Sequence, residues 1–170
     1  MAYRTRTYIA ADWDYDKDAV DILCHWNKSS NRELSFGDAH ELSECRSDKT
    51  NNCNIKRNCA QNLDHSKAFV LIIGEHTKKS RAGYCMYCKD YDHCRYKYTL
   101  NKSFVEFECD YAVRNKLPII VLYKSIQVKK SLCIESVVNK TNVHVPMLMY
   151  SNGKFYWDYE SVEEAFETLD

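Results

Sequence analysis

The sequence predicts an α/β domain built on a doubly wound parallel sheet of five strands. Three observations carry this prediction. Apolar segments of strand length alternate with segments of helical periodicity, the pattern of βαβ units. One segment, Lys67-Ala-Phe-Val-Leu-Ile-Ile-Gly74, is continuously apolar, as a strand covered on both faces must be. Two Ser-x-x-Glu sequences, Ser103–Glu106 and Ser161–Glu164, read as capping boxes that open helices.

Thr7-Tyr-Ile-Ala-Ala11 is the first predicted strand. Asp16 or Asp18 is placed to cap the helix that follows, whose Ala19, Ile22, Leu23 and Trp26 fall three and four apart. Glu33-Leu-Ser-Phe36 is a short second strand, followed by a polar loop from Asp38 to Asn52. The second helix carries Ile55, Cys59 and Leu63, and the third strand is the segment ending at Gly74. Residues from about 76 to 102 are polar and rich in tyrosine and cysteine. They far exceed the ~2–6 residues of an ordinary strand-to-helix loop and form an insertion. The Ser103 box opens a helix to about Asn115, and Leu117–Tyr123 is the fourth strand. A short helical stretch, Leu132–Val138, precedes a fifth strand, Val143–Tyr150, and the Ser161 box opens the last helix. Five such strands suggest the flavodoxin-like order 2-1-3-4-5, with ligands bound where the order reverses, between strands 1 and 3. With neither repeat nor linker, residues 1–170 make one domain.

Composition removes several functions. Lysine and arginine together number 24, matched by 24 acids, so nothing draws the chain to nucleic acid or an anionic membrane. The four glycines, Gly37, Gly74, Gly83 and Gly153, are too scattered for a dinucleotide fingerprint or a phosphate-cradling loop. No apolar run approaches the ~18–20 residues that span a bilayer, and the first residues lack an apolar signal region. A cytoplasmic location is expected. There the nine cysteines would be kept as thiols or metal ligands, and an odd count suits a closed disulfide set poorly.

One residue breaks its pattern in a telling way. Phe104, Phe107, Glu108, Tyr111 and Ala112 share a face of the helix after the third strand, and Glu108 is the only charge among them. An ionised carboxylate on a buried stripe is costly unless paired or put to use. Glu106 is explained by its cap, whereas Glu108 is either a functional group near the ligand-binding edge or a carboxylate that reaches solvent or a lysine. The acids of Asp12-Trp-Asp-Tyr-Asp-Lys17-Asp18 begin like a calcium loop. Lys17 occupies the required glycine position and Leu23 the twelfth, so they are read as helix-capping acids instead. Trp13 can stack on a ligand ring or simply pack. Asp38 and His40, on the same edge of the sheet, can bind hydroxyls or cap a turn. His25, His65 and His144 are read as structural or surface residues. Cys85, Cys88 and Cys94, beside His93, have the first half of a zinc-site spacing without its second half. Plain thiols stiffening a loop are the first reading and a structural zinc the second. Cys45, Cys53 and Cys59 have no motif spacing.

Tyr8-Ile-Ala-Ala-Asp12, Phe36-Gly-Asp38-Ala, Ala68–Gly74 and Ser103-Phe-Val-Glu-Phe-Glu108-Cys-Asp-Tyr-Ala-Val-Arg-Asn-Lys-Leu-Pro-Ile-Ile-Val121 occur in this order along the chain. In these segments the chain resembles the TIR domain superfamily, and within it the bacterial TIR-like proteins of anti-phage defence, of the Thoeris (ThsB-like) kind. The resemblance implies a TIR fold and an enzyme that cleaves NAD⁺ at the nicotinamide–ribose bond, with NAD⁺ as substrate and no cofactor. Its ADP-ribose-derived product, cyclic or conjugated, would be a signal read by a separate effector protein. Glu108 stands at the family's catalytic glutamate, and Phe104 where many members carry tryptophan. Phe104, Trp13 and the backbone at Ala10 and Ala11 would frame the nicotinamide end. Asp12 and Gly74 complete the implied substrate-binding set, with Asp38 and His40 on the loop after the second strand. Self-association in the active state is also implied. The Cys/Tyr-rich insertion lies outside the family pattern, and a trigger and a reader are expected to be encoded elsewhere. Two rivals stay open: a non-catalytic TIR interaction module, and a nucleoside deoxyribosyltransferase-like enzyme with a glutamate that attacks the sugar. A phosphorylated receiver domain fails, because the third strand ends in Gly74-Glu75 without a phosphoacceptor aspartate.

Overall fold

The structure is a computed structural model, described here for residues 6–29, 34, 52–79 and 102–169. Four parallel strands form its sheet: β1 (Arg6–Ala10), β2 (Ser66–Ile73), β3 (Ile119–Tyr123) and β4 (His144–Pro146), in the order β1-β2-β3-β4. This is the predicted order without its second strand, whose residues 33–36 lie outside the described set except Leu34, buried in the core. Among the described residues the sheet therefore has four strands rather than five.

Helices α1 (Lys17–Lys28), α2 (Asn52–Asp64), α3 (Phe104–Arg114), α4 (Glu135–Val138) and α5 (Tyr159–Glu167) flank the sheet. Val70 to Leu71 of β2 and Ile120 to Leu122 of β3 are buried without alternation, which requires helices on both faces. α2 packs on α3 and α3 on α4, while α1 meets α5 through an edge-to-face contact of Trp26 with Tyr159 at 5.3 Å. Among the described residues no helix is long and apolar enough to cross a membrane.

The capping box before α3 is present as predicted. Ser103 Oγ accepts from the Glu106 N–H at 3.1 Å, and the Ser103 N–H donates to Glu106 Oε2 at 2.7 Å. The second box is a correction. Asp158, not Ser161, caps α5, accepting from the Ser161 N–H at 3.1 Å, so the helix begins at Tyr159 and Ser161 lies inside it. The predicted fifth strand is also corrected. His144–Pro146 stays in the sheet, with the missing N–H of Pro146 on the side away from β3; the buried Met147 still donates to the Tyr123 carbonyl at 2.7 Å before the chain turns away. Leu148–Ser151 then forms β5 of a separate antiparallel hairpin with β6 (Lys154–Trp157). The hairpin turns on Asn152 and Gly153, with φ of 50° and 77°, the two left-handed positions of a tight turn that Asn-Gly favours.

His144, read from sequence as structural or surface, has defined partners at the sheet edge. Its Nε2 faces the carbonyls of Thr141 and Val138, both at 3.1 Å, and must donate there. Nδ1 then accepts from the Tyr123 hydroxyl at 2.8 Å. Burial lowers the His144 pKa from its ordinary 6.5, and nearby Lys130 adds to the effect. The unfolded chain therefore takes up the proton first. Stability contributed here is complete above about pH 6.5 and falls as pH drops from there through the folded-state pKa. Urea midpoints measured from pH 7.5 to 5 are expected to fall across that window, and a His144→Gln chain to fall less.

Candidate active site

Glu108 occupies the second turn of α3 on the face that packs toward β1 and α2. It is 3% exposed, so it does not reach solvent. The Tyr8 hydroxyl, from the middle of β1, donates to Oε1 at 2.9 Å. The Cys59 thiol, from α2, donates to the same oxygen at 3.3 Å. Three elements thus meet at one carboxylate oxygen, which offsets the desolvation that would otherwise push the charge out of the core.

The same charge acts on its neighbours. Burial raises the Tyr8 phenol well above its usual pKa, and the adjacent Glu108 and Cys59 raise it further, so Tyr8 remains a protonated donor. Burial and then Glu108 likewise push up the Cys109 thiol. The Tyr8 ring stacks on Phe69 of β2, with centroids 5.9 Å apart. Because strand side chains alternate, Ala10 points to the same face as Tyr8, one step nearer the C-terminal edge. Phe104, half-buried, lies one helical turn before Glu108 on the same side of α3. Ala11 is buried, and Trp13 is half-buried against the core.

Asp12 and Gly74 have structural tasks at this edge. The Asp12 carboxylate accepts from the Asp14 N–H at 3.1 Å, and its carbonyl accepts from the N–H groups of Tyr15 and Asp16. Gly74 follows β2, where an added Cβ would overlap the Asp16 carboxylate, whose Cγ is 2.6 Å away. The Gly74 N–H donates to Thr77 Oγ1 at 2.9 Å, and that hydroxyl faces Asp16 Oδ2 at 3.5 Å. Lys124, following β3, reaches Asp18 at 2.6 Å, the Tyr15 carbonyl at 2.8 Å and Asp16 at 3.6 Å. The ring of His76 stacks on Tyr15 at 3.9 Å. Asp16 is therefore the N-cap residue of α1 by position, but its side chain makes no cap bond. It ties the loop after β1 to the ends of β2 and β3 instead. Burial raises the Asp16 pKa, and Lys124 opposes that rise.

Asp38, His40, Cys85, Cys88 and Cys94 lie outside the described residues. Cys24, Cys53, Cys59, Cys109 and Cys133 are buried thiols. Among the described residues no group of three or more His, Cys, Asp or Glu side chains is placed to hold a metal. The sequence reading missed Tyr8 and Cys59 as partners of Glu108, and Lys124 as the partner of Asp16. The phenol at the centre of the buried first strand was the available hint for Tyr8; Cys59 had none.

The family model of the Thoeris protein ThsB, TIR-like domain, matches residues 8–82. The match begins at Tyr8, spans β1 to β2 and ends before α3, so Glu108 stands beyond it. No curated protein matches the chain.

Proposed function

We propose that this chain, whose residues 8–82 match the family model of the Thoeris protein ThsB, TIR-like domain, cleaves the nicotinamide–ribose bond of NAD⁺ with Glu108 as the catalytic carboxylate. The observation that carries the reading is a carboxylate held inside the core by donors from β1 and α2. Breaking the bond sends its electron pair out with neutral nicotinamide and leaves positive charge on the ribose. A fixed carboxylate in a poorly solvated site stabilises that charge and can accept from the ribose hydroxyls. The incoming nucleophile supplies the pair for the new bond to the anomeric carbon and loses a proton. Water would give ADP-ribose, a group on the same molecule a cyclic product, and a separate acceptor a conjugate.

Phe104, Trp13 and the backbone of Ala10 and Ala11 would frame the nicotinamide, with Asp38 and His40 approaching from the loop after the second predicted strand. Asp12 and Gly74 would shape the edge of the site through the turn they organise. NAD⁺ is substrate rather than cofactor. The product would signal, in the cytoplasm, to a separate effector protein, and neighbouring copies of the chain would complete the site.

The test is incubation with NAD⁺, alone and in lysate of phage-infected cells, followed by chromatography with mass detection. Nicotinamide released by the wild-type chain and absent with Glu108→Gln supports the reading. The mass of the ADP-ribosyl product separates hydrolysis, cyclisation and conjugation. Turnover of free nucleosides in its place would move the protein to the deoxyribosyltransferase-like class. One observation favours a second reading, a TIR module that only assembles: a carboxylate this shielded is already provided for by Tyr8 and Cys59. No turnover under any condition, with Glu108→Gln behaving as wild type in cells, would establish that alternative.

A further inference from the structure

The geometry points to Tyr8 as a positioning residue for Glu108, its hydroxyl fixing the direction of the carboxylate and favouring its ionised form. The inference rests on the reading of Glu108 as the catalytic group. Tyr8 lies in the middle of β1 and is buried, with its ring stacked on Phe69. A phenylalanine would fill that place equally well, so packing explains the ring and leaves the hydroxyl to be explained. That hydroxyl is spent on Glu108 Oε1 at 2.9 Å. The second donor, Cys59 at 3.3 Å, is a thiol and the weaker of the two.

Two donors on one oxygen restrict rotation of the carboxylate, which otherwise turns easily about its terminal bond. Donors to the charged form also favour ionisation. Tyr8 itself keeps its proton, because burial and the neighbouring negative charge both hold the phenol well above its ordinary range. Other titratable groups come from the packed elements. Lys56 of α2 sits over the Phe107 ring at 5.6 Å and faces the Lys102 carbonyl at 3.5 Å. α3 adds Glu106, Cys109 and Asp110. These neighbours are common to the wild-type chain and a Tyr8→Phe variant, so a comparison of the two isolates the hydroxyl.

In Tyr8→Phe the stack on Phe69 is retained and a donor to the carboxylate is lost. The Glu108 pKa should rise by about one unit, moving the acid limb of the kcat profile for NAD⁺ cleavage upward by the same amount. At neutral pH kcat should fall by about tenfold to a hundredfold with KM little changed, since substrate contacts are untouched. A second readout needs no turnover: carbon-13 NMR titration of glutamate-labelled protein, with the Glu108 signal assigned by its loss in Glu108→Gln. Its midpoint should rise in Tyr8→Phe and rise less in Cys59→Ala.

Coincident titrations for wild type and Tyr8→Phe would overturn the assignment and leave Tyr8 a packing residue. A shifted titration with an unchanged pH profile in an active enzyme would overturn its link to catalysis. If the wild-type chain cleaves no NAD⁺, the catalytic reading of Glu108 fails, while the titration still decides whether Tyr8 holds the carboxylate.

Discussion

Glu108→Gln is expected to lower nicotinamide release from NAD⁺ by about 10²–10³-fold or more while leaving the melting temperature within a few degrees of wild type. The variant keeps the shape of the side chain, and its amide oxygen still accepts from Tyr8 and Cys59. The charge is removed, and an amide N–H₂ takes the place of the second carboxylate oxygen. A buried charge contributes little net stability once its desolvation is counted, so losing it need not weaken the fold. Activity and stability should therefore separate, which steady-state kinetics and a thermal melt on the same preparation will show. Glu108→Ala makes the useful contrast, because it also strands the Tyr8 hydroxyl in the core and should melt earlier. Wild-type turnover in the glutamine variant would remove Glu108 from the chemistry.

Gly74→Ala should destabilise the fold by about 1–3 kcal/mol, a cost typical of forcing one methyl into filled space. The new Cβ would overlap the Asp16 carboxylate, which is buried and held between Thr77 and Lys124. For Asp16 to swing aside it must give up both partners, and with them the tie between the β1 loop and the ends of β2 and β3. Urea denaturation measures the loss, and a double-mutant cycle assigns it. In an Asp16→Ala background the same substitution should cost much less. An equal cost in both backgrounds would show that the close approach is not its cause.

Local chemistry accounts for most of what the chain disclosed before folding. The buried run now seen as β2 was legible because a strand covered on both faces must be apolar throughout, and the Ser103 box because it involves residues only three apart. Asn152-Gly153 was as local a signal, yet the apolar segment before it read as one strand through Tyr150. Nothing in hydrophobicity alone separates a strand that continues from one that leaves the sheet at Pro146. The start of α5 shows the same limit: Asp158 and Ser161 are both good caps, and the geometry of the turn out of β6 selected between them.

Glu108 was recognisable as a misfit because helical periodicity assigns each residue to a face. Its surroundings were not, since Tyr8 and Cys59 are 100 and 49 positions away and no local rule relates them to it. Asp16 makes the same point from the other side. Sequence reading offered it as a helix cap, a role worth about 1 kcal/mol at an exposed end, but folding brought Lys124 and Thr77 within reach of a carboxylate already leaving water. The chain by itself determined the helices, the strands of the parallel sheet (though not the β5–β6 hairpin), the relative order of the four described strands, and that one acid sits where an acid should not. Tertiary structure decided what that acid touches and how the strand ends are tied together. Periodicity and capping act within a few residues, whereas the partners of a buried charge are chosen by whichever distant side chains close packing delivers.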